Sequence, residues 1–301
     1  MNYDFSLNDA NIEKFVSYYQ QFKENNTDPR ILHSFKGPDF KIIIYNSKKV
    51  LFQGKSGYEE YLKWGTFLGY DIKKPIDEST YINEYFNKNV IGSDEVGTGD
   101  FFGPVVVCAA YVTKSDNDFM EELNIRDSKG LSDAQIITLA PKLIEHFTHH
   151  VLVLNPEKFN SLTSEGYNLN KIKAYLHNHA IKKMVQNCPN YNYVILDQFC
   201  SPKNYFEYLK TETVFDKIQF HTKGESVHKA VAIASIIARY KFLLEMDKLS
   251  ENISITLPKG SGAPTDAIGK VIYLKYGEEI FSKIAKINFK NFNKITNKTS
   301  K

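Results

Sequence analysis

Apolar and polar residues change their rhythm several times along this chain. Ile12, Phe15, Val16 and Tyr19 recur at helical spacing behind Ser6 and Asn8, either of which fits an N-cap. FKIIIYN and KVLFQG follow, rich in β-branched and aromatic residues and joined by the polar Asn46-Ser47-Lys48-Lys49, which predicts a hairpin. YEEYLKWGTFLGY returns to a helical pattern. Helix, paired strands and helix make residues 1–75 a small α+β domain. The polar stretch around Pro75, Asp77, Glu78, Ser79 and Thr80 marks residues 76–88 as a linker.

From residue 89 to 301 strands and helices alternate. NVIGSDE, GPVVVCAAYVTK, HHVLVLN and YNYVILD read as strands. Leu169, Ile172, Leu176, Ala180 and Met184 give residues 168–187 a helical period. Residues 225–249 predict one long helix, in which Ala230, Ala232, Ala234 and Ser235 permit close packing. Three strands in succession, then strand–helix alternation, predict an α/β fold with a mixed sheet flanked by helices on both faces.

Composition changes this picture little. With 301 residues, 42% hydrophobic and 24% charged, the chain has the make-up of a soluble globular protein. Its net charge is only +3, but residues 281–301 hold six lysines and no acid, and residues 36–55 hold five lysines against Asp39. Such patches can track a phosphate backbone, although for each alone a solvated face or frayed tail is the favoured reading. Cys108, Cys188 and Cys200 form no paired framework, and the absence of an N-terminal signal core favours the cytoplasm. No apolar run approaches the roughly 20 residues of a membrane span.

The chemistry concentrates in Gly92-Ser93-Asp94-Glu95-Val96-Gly97-Thr98-Gly99-Asp100. Two carboxylates close an apolar strand and a Gly-x-Gly turn follows. Asp197 likewise ends the strand Tyr193-Val194-Ile195-Leu196-Asp197. If the two strands are parallel neighbours, the acids meet at one sheet edge, where ligands gather. Buried like charges need a proton or a cation between them, and a hard divalent ion such as Mg²⁺ supplies it. A solvated surface turn is the usual fate of Asp-Glu, and a strand-end acid bonded to backbone amides is the plainer reading of Asp197. Glu225 stands three residues after Thr222, the spacing of a capping box as well as that of a further ligand. Asp100 reads as a turn residue.

These residues resemble the signature of ribonuclease HIII, a bacterial type 2 ribonuclease H family. The related ribonuclease HII has arginine between its two glycines, where this chain has Thr98. Asp127-Ser128-Lys129, Leu176-His177-Asn178, Leu196-Asp197-Gln198-Phe199, Thr222-Lys223-Gly224-Glu225-Ser226, Pro258-Lys259-Gly260-Ser261-Gly262 and Phe289-Lys290-Asn291 follow in family order. The likeness spans residues 88–292, and Val50-Leu51-Phe52-Gln53-Gly54 extends it towards the N-terminus. Gly130 and Asn288 depart from the lysine and histidine expected there.

The resemblance implies a ribonuclease H-like fold with a TATA-box-binding-protein-like N-terminal domain that binds substrate. It also implies cleavage of the RNA strand of RNA–DNA hybrids, leaving 5′-phosphate and 3′-hydroxyl ends. Asp94, Glu95, Asp197 and Glu225 would be catalytic and hold two Mg²⁺ ions, with Mn²⁺ as a substitute. Gly97, Thr98 and Gly99 would hold the ribonucleotide through its 2′-hydroxyl, and Ser128 and Lys129 would grip phosphates. In the N-terminal domain Lys36, Lys41, Lys48, Lys49, Lys55, Phe35, Tyr45 and Phe52 are candidates to face nucleic acid, with a core role the alternative for the aromatics. The expected partner is the hybrid alone, bound by a monomer. Cleavage at single ribonucleotides embedded in DNA is the runner-up activity, and a catalytically silent hybrid-binding protein is the non-enzymatic rival.

Overall fold

A computed structural model describes residues 3–70, 84–123 and 130–297, and its contacts divide the chain into two compact units, residues 1–76 and 77–301. No helix among the described residues is long and apolar enough to cross a membrane.

The first unit is a five-stranded sheet with two helices. Its strands are β1 (Tyr3–Ser6), β2 (Lys23–Glu24), β3 (Ile31–Lys36), β4 (Lys41–Tyr45) and β5 (Lys49–Gln53), in the order β1-β5-β4-β3-β2. The expected hairpin is β4–β5, antiparallel, with Ile42 opposite Phe52. β1, β2 and β3 were not anticipated. They are short or weakly alternating; β1 and β3 dock on the two sides of the hairpin, and β2 docks on β3. The first helix, Asp9–Tyr18, is capped by Asn8, whose side chain accepts from the Asn11 amide at 2.9 Å. Phe5, Phe35, Ile42, Ile44, Val50 and Phe52 pack with Phe15 and Trp64 of the two helices. Phe35 and Phe52 are therefore core residues and do not face a ligand. Alternation along the strands puts Lys36, Lys41, Ile43, Lys49, Leu51 and Gln53 on the opposite face.

The second unit is built on β6 (Val90–Val96), β7 (Val105–Val112), β8 (His149–Leu154), β9 (Tyr193–Asp197) and β10 (Ile218–His221), in the order β10-β9-β6-β7-β8. β6 pairs antiparallel with β7 and parallel with β9, and β9 pairs parallel with β10, so the sheet is mixed. Residues of one pleat, among them Val90, Val106, Cys108 and Ile195, pack on the helix Lys229–Ile253. Those of the other, among them Ile91, Val107, Val194 and Leu196, pack on the helix Leu169–Asn187. Gly92 lets the first helix come close, since a Cβ there would lie 2.3 Å from the Ala230 carbonyl carbon. That helix starts later than its sequence pattern predicts. Gly224–Val227 forms a separate turn, and His228, extended at φ −149°, breaks the run and caps Lys229–Ile253 by accepting from the Ala230 amide.

Of the expected linker, residues 76–83 lie outside the described residues. Tyr85, within the same stretch, is buried and stacks edge-on against Tyr193 of the second unit.

Candidate active site

The strand β6 sends its neighbouring carboxylates to opposite faces of the sheet. Its register pairs Ser93 with Leu196 of β9, so the next residues, Asp94 and Asp197, stand side by side at the carboxyl ends of two parallel strands. Asp94 is 8% exposed, and its Oδ1 accepts from the Glu95 amide at 2.7 Å. Burial pushes its carboxyl up to about 8, and the charges of Glu95 and Asp197 push in the same direction, against a hydrogen bond from Ser235. Asp197 accepts from the Gly224 amide at 2.7 Å. Since β10 pairs His221 with Asp197, the turn that carries Glu225 begins directly beside that acid.

The capping role for Thr222 and Glu225 does not occur. Lys223 is the N-cap of the short turn, in the left-handed region at φ 58°, and no side chain caps it. The turn is closed by Ser226, whose amide and hydroxyl both donate to the Lys223 carbonyl. Glu225 is half-buried, one residue beyond the amide that binds Asp197.

Glu95 points to the side of the helix Leu169–Asn187. Its Oε1 lies 2.5 Å from Lys173 Nζ and its Oε2 lies 2.9 Å from His177 Nε2. Burial pulls this carboxyl upward, but His177 and Lys173 outweigh it and hold it below the usual carboxylate range. Ser93, two residues back and on the same pleat, places its Oγ 2.7 Å from His177 Nδ1.

The glycine turn divides into a structural and an open half. Gly97 has φ +91°, and a Cβ there would meet the Pro104 carbonyl oxygen at 2.2 Å, so the fold itself requires glycine. Gly99 is exposed and its missing Cβ would meet nothing within 4 Å. Asp100 behaves as a turn residue, accepting from the Gly260 amide at 2.5 Å. Ser128 and Lys129 lie outside the described residues.

Residues 91–292 match the family described as ribonuclease HII, and residues 5–69 match a domain of unknown function (DUF3378). The chain is 44% identical to ribonuclease HIII of Phytoplasma mali (strain AT), over 97% of this chain and 98% of that protein. It is 43% identical to ribonuclease HIII of Bacillus subtilis (strain 168), over 86% of this chain and 85% of that one. The chain belongs to the ribonuclease HIII family. It is accordingly a ribonuclease H, a hydrolase. A crystal structure of Bst-RNase HIII in complex with Mn²⁺ superposes with a TM-score of 0.71 at 36% identity, covering 99% of this chain and 98% of that one.

The donors of this ribonuclease HIII site suit a hard divalent ion. Asp94, Asp197 and Glu225 offer only oxygen, and Asp94 is buried with the charges of Glu95 and Asp197 nearby. Among the described residues no three His, Cys, Asp or Glu side chains gather tightly enough to enclose an ion. The Lys173–Glu95–His177 contacts were absent from the sequence reading. The available signal was a lysine and a histidine four residues apart on the buried side of a helix.

Proposed function

We propose that the protein is an endonuclease that hydrolyses the RNA strand of RNA–DNA hybrids, with Asp94, Glu95, Asp197 and Glu225 as its catalytic and metal-holding acids. The observation that carries this reading is the register of two parallel neighbouring strands, whose last pair, Ser93 with Leu196, sets Asp94 and Asp197 side by side at the strand ends. Membership of the ribonuclease HIII family and the Mn²⁺ complex of Bst-RNase HIII support it. These acids would hold two divalent ions, Mg²⁺ or Mn²⁺, which would supply Lewis-acid activation for a hydrolysis that leaves 5′-phosphate and 3′-hydroxyl ends.

The chain's own residues supply orientation. Asp94 would be the main ion-holding acid, and Asp197 is aimed by the Gly224 amide. Glu225 and Glu95 complete the set from the flanking turn and from the opposite pleat. The open backbone at Gly99, beside Gly97 and Thr98, gives a ribose 2′-hydroxyl room to approach. Ser128 and Lys129 hold phosphates. The face of the N-terminal sheet bearing Lys36, Lys41 and Lys49 binds the hybrid, and the enzyme works as a cytoplasmic monomer. Part of that basic charge is already paired, Lys41 with Glu24 at 2.7 Å and Lys49 with Asp4 at 3.1 Å.

A uniform RNA–DNA hybrid labelled on the RNA strand tests this directly. Cleavage in Mg²⁺ or Mn²⁺, none in EDTA, and products that a polymerase can extend are expected. An intact RNA strand with both ions would refute it.

A further inference from the structure

Glu95, one of the proposed ion-holding acids, has one oxygen on Lys173 Nζ and the other on His177 Nε2. Lys173 and His177 stand at i and i+4 of one helix and so share a face. The Lys173 and Glu95 side chains are 8% and 11% exposed, and His177 is fully buried. Phe199 closes the cluster, with its ring 5.3 Å from that of His177 and its centroid 4.1 Å from Lys173 Nζ. A buried ammonium and carboxylate at 2.5 Å attract each other far more strongly than a solvated pair. Breaking such a pair is costly because the remaining charge is left without a partner.

We propose that Lys173 is a positioning residue that acts through Glu95, competing with the divalent ion for its carboxylate and thereby setting the ion affinity of the site. His177, braced by Ser93, holds the second oxygen. In the ion-free enzyme Lys173 pairs with Glu95. When an ion is bound, the Glu95 oxygen nearest Lys173 is the one contested. This rests on reading Asp94, Glu95, Asp197 and Glu225 as the ion-holding set.

Titration calorimetry of the full chain with Mn²⁺ alone, run beside Mg²⁺-dependent cleavage, tests it. Lys173→Met removes the competitor, so Mn²⁺ should bind at least about threefold more tightly. The Mg²⁺ concentration for half-maximal cleavage should fall with it, while turnover at saturating ion drops because Glu95 is no longer aimed. Lys173→Arg, which keeps the charge, should return both towards wild type. Lys173→Gln carries the same expectation as the methionine variant and replaces it if that variant does not fold. Unchanged or weaker Mn²⁺ binding in the neutral variants overturns the inference. Asp94→Asn separates the two levels. If it binds Mn²⁺ as wild type does, the reading of the acids falls and the inference with it. If Asp94→Asn loses the ion and the Lys173 variants leave affinity unmoved, only the role of Lys173 falls.

Discussion

The protein carries two five-stranded sheets that offer themselves to a ligand in opposite ways. The sheet of residues 3–53 packs its aromatic pleat against two helices and leaves the other pleat to lysines and to Ile43, Leu51 and Gln53. The sheet of residues 90–221 is buried on both pleats, beneath the helix Lys229–Ile253 on one side and Leu169–Asn187 on the other. A sheet that carries lysines on one pleat can meet a long, flat, charged ligand through many weak contacts. A sheet covered on both faces exposes only the ends of its strands, and there a few side chains can be desolvated and aimed. Affinity and chemistry should therefore separate by region.

The largest break in that comparison would come from the strand ends. Asp94→Asn or Asp197→Asn should slow single-turnover hybrid cleavage by roughly three orders of magnitude, about 4 kcal/mol in the barrier. Hybrid binding measured by fluorescence anisotropy should stay close to wild type. Phe35→Ala tests the buried pleat of the first sheet. Urea unfolding should register a loss of about 3 kcal/mol, whereas a ligand-facing phenylalanine would lose affinity with little change in stability.

Deleting residues 1–75 sharpens the division. The hybrid Kd should rise about tenfold or more, ~1.4 kcal/mol, while the cleavage rate at saturating hybrid stays near that of the intact enzyme. Equal affinity in the truncated enzyme would remove the substrate role of the first sheet. In EDTA the strand-end site should announce itself through pH. An acid whose folded pKa lies above its unfolded value binds its proton more tightly when folded. Stability is then fully present below about pH 4 and is lost as pH rises through the Asp94 value of about 8. Thermal melts should fall by at least about 1 kcal/mol, or about 2–4 °C, across that range. Asp94→Asn should flatten the slope, and saturating Mg²⁺ should do the same for the native chain. The smallest effect is expected from Lys41→Ala or Lys49→Ala. Each should weaken hybrid binding about twofold and reduce the salt dependence by up to one phosphate contact.

Much of the second unit was legible because its strands are long, apolar and end on acids. Asp94 and Asp197 could be paired from strand ends alone, given parallel neighbours. The edge strand β10 escaped because Ile218–His221 has four residues and no clear alternation. β1, β2 and β3 escaped for a similar reason, and the strands they pair with, not their own composition, decide their state. The break at His228 was hidden by an unbroken helical pattern, since a buried neutral histidine used as a cap looks like any helical residue. Glu95 shows the limit most clearly. Sequence puts it beside Asp94, but the pleat sends it to the other face of the sheet, where Lys173 and His177, 78 and 82 positions later, take both its oxygens. Only the register of the helix against the strand brings those residues together.

The central claim is that Asp94 and Asp197 hold one divalent ion between them. Anomalous diffraction from crystals of the full chain soaked in Mn²⁺ tests it most directly. A peak in coordination contact with both carboxylates is predicted. A fully occupied peak elsewhere, or one bound by a single member of the pair with the other turned away, would contradict it.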